Sequence, residues 1–480
     1  MAESNITSAG TGDWNAGATW TGGAVPDTDQ HAIIQSGHNV TINADDEVKS
    51  LSVQGGGTLT GNSSYSITVN GEGNATYGTN HYAIDLDGVI GTNVKLILTY
   101  NGTTALDLAG SSGTVNSLTI NHADCVANLE TTGSLAGDLT ITAGEFKTNN
   151  NALTVTGDCI VGNGVGSANT AILDGNASAI SFGSLAIDTD GKYDATSGTT
   201  TSTSERSDGL AMNLDGTFTH NSGTVIITTS SNSQIDWIGS SGNLNNLTYS
   251  GGAILEWTVN GGTIDGNLSI TNGTLQSSNG NKTLTVTGNV TVGDGTGSAN
   301  TAILGNASEA AAQTFGSLTI DSDGKYNATS GTTTITSENG TKCFDNQSGG
   351  TFTHNNGTLK FASSIGDTTF DNAGADNFYN LTCETNGDCA YLNAITVLNN
   401  LTINNSNANF KANTDASGAI TVRGITKLVD GIAFSTSDDN ANADHYGFIV
   451  IEGGTFRISD TSSATKTCDG IRNVGGTLSG

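Results

Sequence analysis

Three short runs of the sequence place two carboxylates one residue apart ahead of a glycine: "DLDG" from Asp85, "DTDG" from Asp188 and "DSDG" from Asp321. Alternate aspartates at a tight turn supply the oxygen ligands that a hard cation such as Ca²⁺ takes up. Asp188, Asp190, Asp321 and Asp323 are therefore the candidate metal ligands, and Ca²⁺ is the one cofactor the sequence leaves open. No bidentate Glu follows at the distance that would complete an EF-hand loop, and Asp-x-Asp-Gly is also ordinary turn chemistry. Glycoside cleavage needs something different: two carboxyls at a set separation across a groove, one of them held protonated. The 45 acidic residues offer no means of choosing such a pair, so no catalytic residue is assigned. Glu145, Glu256 and Glu452 lie beside aromatic or aliphatic residues, and a place on the outer face of a strand accounts for each. Trp237 and Trp257, in "IDWIG" and "LEWTV", are the candidates for stacking on a sugar, with packing on or between strands as the competing role. The seven histidines form no HxH or HExxH spacing. His220 and His354 occupy equivalent places in a duplicated segment, which points to a structural role.

The elements that would position these residues are strands. Of 480 residues 66 are Gly, Pro26 is the single proline and only 12% are charged. Nothing reads at the 3.6-residue period of an amphipathic helix, while apolar residues alternate with small polar ones between Gly/Asn turns. A net charge of −30 repels a phosphate backbone, which excludes nucleic acid as a partner and suits a soluble, Gly-rich β surface. No apolar run approaches the roughly 20 residues of a transmembrane helix, so membrane insertion is not expected. The residues from Met1 to Trp20 lack the charged and apolar regions of a secretory signal. Without one, the six scattered cysteines read as free thiols facing a core. A disulfide between Cys383 and Cys389, across "ETNGD", is the alternative.

A four-residue motif recurs: a polar residue or Gly, an aliphatic, a small polar residue and a second aliphatic. Examples are "SLSV" from Ser50, "SLTI" from Ser117, "NLSI" from Asn267, "SLTI" from Ser317 and "NLTI" from Asn400. Alternation places both aliphatics on one face. Spacings of 14 to 22 residues between neighbouring motifs suggest one coil of a β-solenoid each. Such a coil cannot bury its aliphatic face alone and must stack on its neighbours. The expected fold is thus all-β: a single-stranded parallel β-helix with internal duplication. "GSANTAIL" appears from Gly166 and again from Gly297, within segments from Ala152 and Thr283 that match at offsets of 131 to 134 residues. The expected organisation is an N-terminal cap and first coil over 1–48, solenoid coils over 49–150, repeat block 1 over 151–281, block 2 over 282–415, and terminal coils with a partial third block over 416–480. Trp14 and Trp20 are assigned to the cap, where bulky aromatics cover the first coil.

The stretch "DWNAGATWTGGAVPDTDQHAIIQSGHNVTI", followed by Gly/Asn/Thr-rich "NLTI" coils, resembles the opening of parallel β-helix proteins of bacteria and phages: tail fibres, tailspikes, capsid decorations and filamentous adhesins. The resemblance covers nearly the whole chain as architecture, and β-helices share composition without sharing function. It implies a right-handed coil and a non-enzymatic structural protein of a virus particle, forming a fibre, spike or capsid-surface decoration. It also implies a virion-surface location, a trimeric homo-oligomer, contact with other virion proteins and attachment to a host-surface glycan. The alternatives are a polysaccharide-degrading tailspike and a bacterial adhesin at the cell surface.

Overall fold

The computed structural model describes residues 4–73, 81–237, 242–258, 261–362, 364–412, 418–433, 444–457 and 466–479. The chain is nearly all β, with 2% helix, and its parallel strands stack as a β-solenoid of about 20 turns. Two compact units make it up: Met1–Thr228 with Ile235–Asn243, and Thr229–Gln234 with Leu244–Gly480.

In the first unit the recurring motif supplies the core. Ile67, Leu96, Leu118, Leu139, Cys159, Leu185 and Met212 pair in succession, one coil to the next, and all are buried. A second column runs along another side of the coil, where Leu153 pairs with Gly133 on one side and Ile180 on the other. The short spacings in the sequence are therefore steps between faces of one coil: Leu139 and Leu153 belong to different columns. A full coil is longer, as in the pairing of Cys159 with Leu185. Loops between faces differ in length while the stacked strands keep register, because only the strands are bound by the ladder.

The second unit repeats the plan with a change of filling. Leu247, Leu268, Val290 and Leu318 stack in order, then Phe344, Phe370 and Tyr391 continue the same column. Phe344 meets Phe352 and Phe378 edge-on at 5.6 and 5.7 Å, and Phe361 lies 5.0 Å from Phe370. These are favourable aromatic separations.

The expected cap is present. Trp14 and Trp20 are 0% and 2% exposed and meet edge to face at 5.0 Å. The Trp14 indole N–H donates to Asp46 Oδ2 at 3.0 Å, and that of Trp20 to the Trp14 carbonyl at 2.6 Å, so neither buried donor is orphaned. Pro26 lies outside the strands, just before Gln30–Ile34, where its missing N–H costs the ladder nothing. Asn takes ten of the thirteen non-glycine positions with positive φ among the described residues. Its short side chain tolerates that left-handed region better than most. This explains why a chain of tight corners is rich in Asn as well as Gly.

Candidate functional site

The two later Asp-x-Asp-Gly runs occupy matching places. Each second aspartate is 1% exposed and reaches into the loop of the preceding coil. Asp190 Oδ1 accepts the backbone N–H of Asn163 at 2.9 Å and of Gly164 at 2.7 Å, while Oδ2 accepts the Thr170 hydroxyl at 3.3 Å. Asp323 does the same with Asp294 at 3.1 Å, Gly295 at 2.8 Å and Thr301 at 3.2 Å. A Cβ on Gly162 or Gly293 would stand 2.5 Å from the corresponding Oδ1, so the close approach requires glycine there. Their first aspartates, Asp188 and Asp321, are partly covered, and burial raises both carboxyls above their ordinary value. Of the two roles open to these runs, turn chemistry and Ca²⁺ binding, the bonds of Asp190 and Asp323 serve the turn: their carboxylates accept N–H and O–H donors of the preceding coil. Each clamp fixes the base of an exposed loop, Asn163–Asn169 in one copy and Asp294–Asn300 in the other.

The first run behaves differently. Asp85, Asp87 and Asp107 each offer a carboxylate oxygen, and these oxygens lie within 4.8 Å of one another, the one such convergence of three His, Cys, Asp or Glu side chains among the described residues. Asp85 and Asp107 are paired across adjacent coils, on the strands Tyr82–Leu86 and Thr103–Asp107. Asp107 Oδ1 is held by the Ala109 N–H at 2.9 Å and the Thr131 hydroxyl at 2.7 Å, and Ser52 Oγ donates to Asp85 Oδ2 at 3.4 Å. Burial, then repulsion from Asp87 and Asp107, pushes the Asp85 carboxyl up to about 6. Three crowded carboxyls can do one of two things: share a proton, or hold a divalent cation with water completing its shell. The sequence marked Asp85 and Asp87 through their Gly turn. Asp107 comes from the next coil and enters only through register.

The other named residues go elsewhere. Trp237 and Trp257 are 4% and 1% exposed, with their indole nitrogens buried and unbonded. This corrects the sugar-stacking assignment, because a ring enclosed in the coil has no face to offer a ligand. Glu145 pairs with Lys147 at 3.2 Å and Glu452 with Lys427 at 3.1 Å. Glu256 accepts from Gln234 and Gln276, at 3.3 and 3.0 Å, in a ladder across three coils. His220 and His354 sit alike: each Nδ1 accepts the N–H two residues on, from Ser222 and Asn356, at 2.9 Å in both. They cap their own turns. No described helix is long and apolar enough to cross a membrane.

These features define a class, the parallel β-solenoid with an aromatic cap and duplicated, clamped loops. Compared with models of protein families, with curated proteins and with solved structures, the chain matches none.

Proposed function

We propose that this chain is a non-enzymatic structural protein of a virus particle, a β-helical fibre, spike or capsid-surface decoration that serves assembly or attachment to a host surface. One observation carries the reading: the side chains best suited to chemistry are engaged in bonds that hold coils and turns together, as Asp190, Asp323 and Glu256 do. What the coils offer to a partner is repetition, since the same "GSANT" loop is presented in two copies with the same positive-φ glycines and asparagine. Repeated shallow contacts, multiplied again in a symmetric oligomer, gain strength by avidity without a deep pocket. Quantitative mass spectrometry of purified particles from the source tests the proposal. Copy numbers near that of the major capsid protein fit a decoration, a few per particle fit a fibre or spike, and absence from particles overturns it in favour of a cell-surface protein.

A second reading, polysaccharide cleavage, is favoured by Asp85 alone, whose raised carboxyl suits a proton donor beside two other carboxyls. Release of reducing ends from capsular polysaccharide, lost in Asp85→Asn, would support it. No release by the parent chain would end it.

A further inference from the structure

In the second unit one outward-facing column of the coil reads Lys360, Thr382, Thr402 and Lys427 over successive coils, and the column beside it pairs Thr358 with Asn380. Further along, both columns turn apolar. Lys427 pairs with Val450 and Ile425 with Phe448, and Ile425 and Phe448 are 42% and 41% exposed. Neither is bared by the end of a stack. The strand Ile425–Ala433 lies between Leu401–Ala412 and Phe448–Ile451, and Phe448–Ile451 is paired in turn with Gly470–Asn473. Alternation turns Thr426, Leu428, Ile449 and Ile451 into the core, where all are buried, and sends Ile425, Lys427, Phe448 and Val450 outward. Beyond Phe448 the column continues with Gly470, where an added Cβ would stand 2.9 Å from the Phe448 ring. The ring therefore lies over a position that has no side chain to shield it.

The charge changes in the same place. Residues 421–480 hold five of the 15 basic residues and seven of the 45 acidic ones, a net −2 against −28 for the 420 residues before them. Around the apolar side chains stand both signs: Lys427 pairs with Glu452 at 3.1 Å, Arg472 lies next to Val450 in register, and Arg423 is exposed in the bend before Ile425.

We propose that this outer face, centred on Ile425 and Phe448, is where two copies of the chain associate side by side. Exposed apolar side chains within a polar rim mark an interaction surface. Charge selects the occupant. Two chains of net charge −30 repel each other over most of their surface, and that repulsion nearly vanishes here. A rim with cations and a carboxylate is self-complementary, since an arginine of one copy meets Glu452 of the other when the faces oppose. A basic partner would be held more strongly by the acidic coils before this face, and an acidic one would meet Glu452 as a like charge. The inference is independent of the role in a virus particle: a solenoid at a cell surface would associate through the same face, so copy number in particles and self-association of the purified chain are decided separately.

The test follows the folded full chain by sedimentation equilibrium over a wide range of concentration, beside Ile425→Thr and Phe448→Thr, threonine being a residue these columns carry in earlier coils. The expected result is a parent mass that rises with concentration to a whole multiple of the monomer's. Phe448→Thr should weaken the association by about tenfold or more, as loss of an aromatic anchor at an interface does. Ile425→Thr should act in the same direction and less strongly. A parent that stays monomeric overturns the proposal, and so does an oligomer that Phe448→Thr leaves unchanged. Hydroxyl-radical footprinting of the parent decides the question where a variant fails to fold: oxidation of Phe448 should fall as the chain associates, and oxidation that stays constant overturns the proposal.

Discussion

The copies of the duplicated segment, beginning at Leu153 and Leu284, solve one packing problem twice. In each, a tyrosine lies inside the coil between two phenylalanines: Tyr193 at 6.1 and 5.8 Å from Phe182 and Phe218, and Tyr326 at 5.8 and 6.0 Å from Phe315 and Phe352. In each, its hydroxyl meets a buried threonine, Thr200 at 2.8 Å or Thr333 at 2.7 Å. The aspartate clamps also coincide. Elsewhere the copies part company. Ser184 donates to Asp158 at 2.7 Å, but Ser317 donates to a neutral Asn289 at the same distance, so the bond matters there and the charge does not. Met212 in the first copy corresponds to Phe344 in the second, where the aromatic column begins. Only the second carries a buried acid in the next loop: Glu309, 2% exposed, accepts the Ser277 N–H at 2.9 Å and its hydroxyl at 2.7 Å. Identity persists where a side chain must satisfy backbone in the adjoining coil, and it relaxes where the partner could change with it.

Four experiments probe that contrast. Tyr193→Ala and Tyr326→Ala should have the largest and equal effects, each costing about 3–5 kcal/mol in local stability by the general cost of emptying an aromatic site. Hydrogen exchange on the flanking strands reads this, and a gap above about 1 kcal/mol between the copies would break their equivalence. Next, Asp190→Ala and Asp323→Ala strip two N–H groups and a hydroxyl of their acceptor, a loss of about 1–3 kcal/mol. Faster limited proteolysis at Asn163–Asn169 or Asp294–Asn300 should report it, in the loop of the substituted copy alone.

The third experiment looks for a difference. Burial raises the Glu309 carboxyl above its ordinary value of 4.5, so the folded chain keeps this proton to higher pH than the unfolded chain does. The second copy therefore loses stability as pH rises from that value through the folded one, and it is favoured below. Glu309→Gln should remove this slope in exchange measured on Leu284–Val292, while Leu153–Val161 in the first copy shows no such contribution from a counterpart. The smallest effect is expected at Asp85, in coils ahead of both copies, which serves as the reference for a half-buried acid. With its carboxyl raised from 3.8 to about 6, stability falls across that interval as pH rises. Asp85→Asn should relieve less than about 1 kcal/mol above pH 6, because solvent still reaches and screens a half-buried carboxyl. Added Ca²⁺ should raise the melting temperature of the parent and not of the variant if the three carboxyls hold the ion.

Much of this fold was legible because a solenoid writes its architecture locally: alternating aliphatics, Asn and Gly corners, and tryptophans ahead of the first coil each have a cause within a few residues. What escaped was set by register. Leu139 and Leu153 look like successive coils in the sequence and prove to be different faces of the stack. Asp190 reads as a turn residue, yet its partners Asn163 and Gly164 belong to a loop in the preceding coil. Trp237 and Trp257 alternate with Ile235 and Leu255, and only the place of those strands in the coil shows that the shared face points inward.

Register also governs how such a chain acquires its shape. Leu118 finds Leu139, and Leu139 finds Cys159, each about 20 residues along a chain of 480. Such steps keep the strand pairings local in sequence, unlike those of most all-β proteins. β structure folds slowly when its strands must search distant sequence. Here each coil meets its partner a single step back, so the solenoid can grow during synthesis, one turn laid on the last as it leaves the ribosome.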